Sequence, residues 1–167
     1  MGIDPMEMIE KLGAPEVLPV LDGDETPETV VCFVCTGNTC RSPMAEAYMK
    51  SRGFDAFSRG IAAHEGDPIS PLAVRALEDA GVEAVPENDY REHRAKNMTE
   101  GDMALADAVY CMTAAHAARL MFACPQFAEK IHVMTPEISD PYGGDLETYK
   151  KALDEIKTAV AEIHPGL

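Results

Sequence analysis

Between Val30 and Lys50 the chain reads VVCFVCTGNTCRSPMAEAYMK, which places the thiol of Cys35 and the guanidinium of Arg41 with five residues between them. Two of the five, Gly37 and Asn38, tolerate positive φ, so successive backbone N–H groups can turn inward and form an anion-binding nest that leads into a helix N-terminus. Such a nest fits one phosphate or a similar oxyanion. Cys35 stands at its lip, where inward amides, the helix dipole and Arg41 all favour thiolate over thiol, and a thiolate is a nucleophile. Arg41 adds a planar fork of donors suited to two phosphoryl oxygens at once, a geometry that lysine cannot reproduce. A cysteine closing an apolar strand is more commonly inert packing, and Cys32 and Cys111, inside apolar runs, fit that description. For Cys35 the succession of glycine, asparagine, arginine and helix start points to chemistry instead.

The elements that must hold these groups follow from the pattern. TVVCFVC, ending at Cys35, is a β-branched and apolar run suited to a buried parallel strand, and PMAEAYMKSRG puts Pro43 at a helix N1 position and stops at Gly53. DAFSRGIA (55–62) predicts a second strand. SPLAVRALEDAG predicts a helix capped by Ser70 and stopped by Gly81, and DAVYCM (107–112) a third strand. A helix is expected over 114–122 and a fourth strand in KIHVM (130–134). DLETYKKALDEIKTAVAEI then carries Leu146, Tyr149, Leu153, Ile156, Val160 and Ile163 at helical spacing on one face. Strands alternating with helices predict an α/β three-layer sandwich, a central four-stranded parallel sheet with helices on both faces. In such a sheet the ligand lies beyond the carboxyl ends of the strands, where the loop after the first strand falls.

Composition bounds the partners. At 167 residues the chain is one ordinary domain, with no internal repeat, and a formal net charge of −15 leaves no broad basic face for nucleic acid or anionic lipid. Five cysteines at irregular spacing, with no apolar signal segment, argue for a reducing compartment, so the cytoplasm is expected. No apolar run approaches the ~20 residues of a membrane-spanning helix. The five histidines are scattered and neither HExxH nor paired CxxC occurs, so no metal and no cofactor are expected. Residues 1–29 are acidic and carry Pro5, Pro15, Pro19 and Pro27; they read as an extension with one short helix near 6–12, and MGIDP (1–5) as a cloning remnant ahead of a native start at Met6. The domain proper is expected over 30–167.

The run from Cys35 to Ser42, CTGNTCRS, resembles the phosphate-binding loop of low-molecular-weight protein tyrosine phosphatases. The likeness extends into PMAEA after it, HRAKNMT (93–99), ADAVYCMT (106–113) and DPYGG (140–144), leaving only residues 1–29 outside. The resemblance implies Cys35 as nucleophile, Arg41 as phosphate binder and Asp140 as proton donor, with Thr36, Gly37, Asn38, Thr39, Cys40, Arg41 and Tyr142 around the substrate. An aspartate before proline is by itself a turn former. Phosphoryl transfer to a thiolate, however, expels a poor leaving group that must be protonated, and the same carboxylate can then deprotonate the water that attacks the phosphocysteine. Ser42 can donate to the Cys35 thiolate or cap the helix ahead of Pro43. Asn38 can hold the turn, with His93 as its partner by resemblance, although a histidine among the charges of REHRAK is equally a solvated side chain. Cys40, beside the nucleophile, would capture an oxidised Cys35 as a disulfide. Phosphorylated proteins are the expected partners, inorganic phosphate the product, and a monomer the expected state.

Within the family, Thr39 stands where typical tyrosine phosphatases carry isoleucine, and both this threonine and DPYGG resemble the protein-arginine phosphatase branch. A hydroxyl there suits a polar guanidinium and a positioned water better than a phenol ring. The remaining readings are a tyrosine phosphatase in which Thr39 is incidental, a thiol-dependent arsenate reductase and a silent phosphate-binding module. An arsenate reductase needs two further closely spaced cysteines, whereas Cys111 and Cys124 are separated by twelve residues. A silent module would lack a catalytic group, and none is missing.

Overall fold

The computed structural model describes residues 29–163. Its elements in chain order are β1 (Val30–Cys35), α1 (Arg41–Ser51), β2 (Asp55–Gly60), α2 (Pro71–Asp79), α3 (Glu100–Leu105), β3 (Ala108–Cys111), α4 (Ala114–Ala123), β4 (Ile131–Val133) and α5 (Leu146–Ile163), with 3-10 turns at Tyr90–Glu92 and Pro125–Lys130. The four strands are all parallel, in the order β2-β1-β3-β4. Helices cover both faces, and the alternation of β1 shows why its sequence is apolar throughout. Val31, Phe33 and Cys35 face α1, α2 and α5, packing with Met44, Leu77 and Ile156. Cys32 and Val34 face α3 and α4, packing with Met103 and Leu120. A strand buried on both sides must be hydrophobic at odd and even positions alike. The architecture is the expected α/β sandwich, and among the described residues no helix is long and apolar enough to cross a membrane.

Several boundaries differ from the sequence reading, each for a local reason. β2 stops at Gly60 because the N–H groups of Ile61 and Ala62 follow the end of β1 and the loop after it, bonding to the carbonyls of Cys35 and Thr36 at 3.0 Å each. α1 begins at Arg41, so Pro43 is its third residue rather than its first; the first-turn N–H groups have no intrahelical acceptor, and proline costs nothing there. Ser70 holds the N-cap position of α2 but makes no side-chain cap. Its hydroxyl is drawn 3.1 Å to Tyr149 Oη on α5. α3 was not anticipated: it is six residues long and rests on a capping box between Thr99 and Asp102. The short helix expected near 6–12 lies outside the described residues.

Candidate functional site

β1 and β3 are neighbours whose following segments leave in opposite directions, β1 toward α1 and β2, β3 toward α4 and β4. A crevice opens at such a switch point, and here it is a cleft of about 400 Å³. Its floor is the loop from Cys35 to Arg41; Ala62, His64 and Asp67 form one wall, Asp140 and Tyr142 the other. The loop is pressed close against the end of β2, where a Cβ on Gly60 would meet the carbonyl oxygen of Thr36 at 2.7 Å. Only glycine leaves room for that approach.

Within the loop the positive φ belongs to Asn38 alone, at 58°; Gly37 does not take it. Asn38 holds this costly conformation because its side chain and carbonyl are pinned from four directions. Its Nδ2 donates to Ser42 Oγ at 2.8 Å and to Ser58 Oγ at 3.1 Å, its Oδ1 accepts from the Lys96 N–H at 3.0 Å, and its carbonyl oxygen lies 2.8 Å from His93 Nε2. Ser58 in turn donates to Glu46 Oε1 at 2.7 Å. A carboxylate only accepts, so the chain of donors has one direction, and Ser42, already accepting from Asn38, has its proton left for Cys35 Sγ at 3.0 Å. The Asn38 N–H approaches the same sulfur at 3.3 Å. Ser42 is therefore turned to the thiol and does not cap α1.

Arg41, buried at the first position of α1, donates from Nη1 to the Ile138 carbonyl at 3.1 Å and extends Nη2 to within 3.8 Å of Asp140 Oδ2. Asp140 uses its other oxygen, Oδ1, to accept the Tyr142 N–H at 3.1 Å. It thus forms the turn expected of an Asp-Pro pair while Oδ2 stays on the cleft side, its carboxylate 60% exposed. The turn closes with Gly144 N–H to the Pro141 carbonyl at 2.8 Å, and Gly143 supplies φ of 82° at its third position. Tyr142 is carried on the lip, 81% exposed. Cys40 is buried in the floor; Ser70 donates to Tyr149 Oη, leaving the phenol proton for Cys40 Sγ at 3.4 Å. Burial, reinforced by that hydrogen bond, pushes the Tyr149 phenol up to about 12.

The structure thus brings Cys35, Arg41, Asp140, Ser42, Asn38 and His93 together, with Thr36, Thr39, Cys40 and Tyr142 lining the same cleft. Sequence reasoning missed Glu46, Ser58, Tyr149 and His116. His116, a buried histidine on α4, has Nε2 2.8 Å from Thr36 Oγ1. None of the four carries a local signal, since each acts on the loop from another element. Cys32 and Cys111 sit in the sheet, where burial raises the first thiol well above its ordinary value and the second to about 12. Among the described residues no cluster of side chains could hold a metal ion.

The chain is similar in sequence and fold to known proteins. The family model described as low molecular weight phosphotyrosine protein phosphatase matches residues 30–167. A protein-arginine-phosphatase from Geobacillus stearothermophilus is 33% identical over 140 residues, covering 78% of this chain and 90% of the relative. A solved low molecular weight protein tyrosine phosphatase from T. tengcongensis is similar with a TM-score of 0.74 at 37% identity, covering 84% of this chain and all of that one. A YwlE arginine phosphatase, solved as a Cys-to-Ser mutant with a phosphorylated active-site serine, is similar with a TM-score of 0.73 at 30% identity, covering 81% of this chain and 93% of its own. Arsenate reductases also occur among the relatives. Matched in sequence from β1 to the C-terminus and in fold across the same span, the chain belongs to the low molecular weight phosphotyrosine protein phosphatase family.

Proposed function

We propose that the protein is a cysteine-dependent phosphoprotein phosphatase that hydrolyses phosphoarginine through a phosphocysteine intermediate. The observation that carries the reaction is the thiol of Cys35 in a one-phosphate loop, with the Ser42 hydroxyl 3.0 Å behind it and the Arg41–Asp140 pair across the cleft. In the first step the Cys35 thiolate attacks phosphorus, the bond from phosphorus to the leaving nitrogen breaks, and Asp140 supplies the proton that nitrogen takes up. Arg41 and the loop amides hold the phosphoryl oxygens as charge moves across them. In the second step Asp140 takes a proton from water, which attacks the phosphocysteine; inorganic phosphate leaves, and Ser42 stabilises the returning thiolate. Residues 30–167 form the catalytic domain and 1–29 an extension, in a cytoplasmic monomer with no metal and no cofactor.

The choice of phosphoarginine rests on the cleft wall. Thr39 offers a hydroxyl to the lining; among the described residues that line the cleft, Asp67 and Asp140 are the carboxylates and Arg41, in the floor, is the one Lys or Arg. A phosphorylated guanidinium is cationic beyond its phosphoryl group, and acidic walls favour it over a neutral phenol ring. Tyrosine phosphatase activity is the second reading, favoured by the exposed ring of Tyr142, which could flank an aromatic leaving group. Hydrolysis of matched phosphoarginine, phosphotyrosine and phosphoserine peptides distinguishes them. Wild type should prefer phosphoarginine, and Thr39→Ile should shift the phosphoarginine to phosphotyrosine ratio of kcat/KM by about tenfold toward phosphotyrosine, with hydrolysis of a small aryl phosphate retained. A wild-type preference for phosphotyrosine, or a ratio unmoved by the mutation, would transfer the assignment to the second reading. Arsenate reduction finds no relay, because Cys111 is buried in β3 and Cys124 lies beyond the far end of α4.

The two thiols in the floor carry a redox expectation. Peroxide oxidises Cys35 to sulfenic acid, and attack by the Cys40 thiol expels water and forms a disulfide. Mild peroxide should therefore inactivate the enzyme reversibly by dithiothreitol, and Cys40→Ser should make the loss harder to reverse. A peptide map of the oxidised protein lacking a Cys35–Cys40 bridge would refute it.

A further inference from the structure

His116 is the third residue of α4 and 6% exposed, and both of its ring nitrogens are matched to hydroxyls. Nδ1 lies 3.1 Å from Thr113 Oγ1 and Nε2 lies 2.8 Å from Thr36 Oγ1. Thr113 caps α4, its oxygen accepting the His116 backbone N–H at 3.4 Å. That hydroxyl still has a proton that it can give to Nδ1. In that arrangement the ring proton sits on Nε2 and is donated to Thr36 Oγ1, which leaves the Thr36 O–H free to point into the cleft that Thr36 lines. In the opposite tautomer Nε2 would consume the Thr36 proton, and the threonine would present lone pairs to the cleft. An anionic phosphoryl group selects the first arrangement.

We propose that His116 is a positioning residue that sets the Thr36 hydroxyl as a hydrogen-bond donor to the bound phosphoryl group. The proposal rests on the reading of the cleft as a phosphoryl site. The charged groups that face the ring are Arg41 from α1, Asp140 from the acid loop, Arg119 from α4 itself and Glu137 from the segment after β4. Burial first, then Arg41, holds the imidazole below its usual pKa, so the ring is neutral near pH 7 and its tautomer matters. The link also joins the two segments that diverge at the switch point, fixing the loop after β1 to the helix after β3.

The test uses inorganic phosphate as a competitive inhibitor of the full chain. His116→Leu and Thr36→Val should each weaken phosphate inhibition about fivefold to tenfold and raise KM similarly with a smaller change in kcat, the size of one lost hydrogen bond to a charged group. The double variant should be no worse than Thr36→Val alone, because without the Thr36 hydroxyl His116 has no donor to orient. His116→Gln, whose amide can donate to Thr36, should recover most of the affinity. Nitrogen NMR of the imidazole with phosphate bound should show the Nε2–H tautomer. A dominant Nδ1–H tautomer, single-variant losses that multiply in the double variant, or a folded His116→Leu protein inhibited by phosphate within twofold of wild type would overturn the proposal. If His116→Leu fails to fold, Thr36→Val and the wild-type NMR spectrum still decide it. Failure of wild type itself to be inhibited by phosphate would instead remove the phosphoryl-site reading.

Discussion

Replacing Cys35 by serine is expected to lower turnover by about four to six orders of magnitude while phosphate binding changes by no more than a few fold. The oxygen of serine, held in the same place, is far less nucleophilic at neutral pH than a thiolate. The groups proposed to bind the anion are elsewhere: the loop amides, the N-terminus of α1 and the Arg41 guanidinium, which is held on the Ile138 carbonyl at 3.1 Å. The loop itself should survive, since its conformation depends on the Asn38 contacts to Ser42, Ser58, Lys96 and His93 rather than on the sulfur. Release of p-nitrophenol measures the first quantity and calorimetric titration with phosphate the second. Turnover at the wild-type rate in Cys35→Ser would end the phosphocysteine mechanism.

Asp140→Asn is expected to cost about two to four orders of magnitude on substrates whose departing nitrogen or oxygen must be protonated, and much less on activated aryl phosphates that leave as stable anions. Asparagine keeps the acceptor oxygen for the Tyr142 N–H, so the turn through Pro141 and Gly143 is preserved while the proton is removed. It also deletes the charge 3.8 Å from Arg41. With the carboxylate 60% exposed, that pair contributes little to stability, and the melting temperature should move by only a few degrees. Kinetics across a series of aryl phosphates of graded leaving-group acidity reads the effect directly. Equal losses along the whole series would remove Asp140 as the general acid.

The loop chemistry was legible in the sequence because it is local. From Cys35 to Ser42 the proposed nucleophile, the turn residue, the guanidinium proposed to bind phosphate and the thiol's hydroxyl neighbour lie within one turn and the start of α1, so residue type and order almost dictate their proximity. The parallel sheet was legible for a similar reason: TVVCFVC is apolar at both parities, which only a strand covered on two faces requires. What failed were boundaries decided by side chains arriving from elsewhere. Ser70 has the composition of a helix cap, yet Tyr149, seventy-nine residues on, takes its hydroxyl. Gly37 and Asn38 compete for one positive φ, and the contacts of Asn38 to β2 and to the segment around His93 award it to asparagine.

Sequence alone thus determined the α/β class and the position of the Cys35–Arg41 loop, with its thiol and guanidinium, at the carboxyl end of the first strand, because these depend on burial periodicity and on backbone freedom within a few residues. The tertiary structure decided the strand order β2-β1-β3-β4, and with it that the loop after β1 meets α4. It placed Asp140 across the cleft from Cys35, His116 against Thr36 and Tyr149 against Cys40, pairs separated by 80 and 109 residues in the last two cases. Periodicity records which face of an element is buried, but not what it is buried against. That choice is made only when the whole sheet packs, through contacts whose partners leave no mark in each other's local sequence.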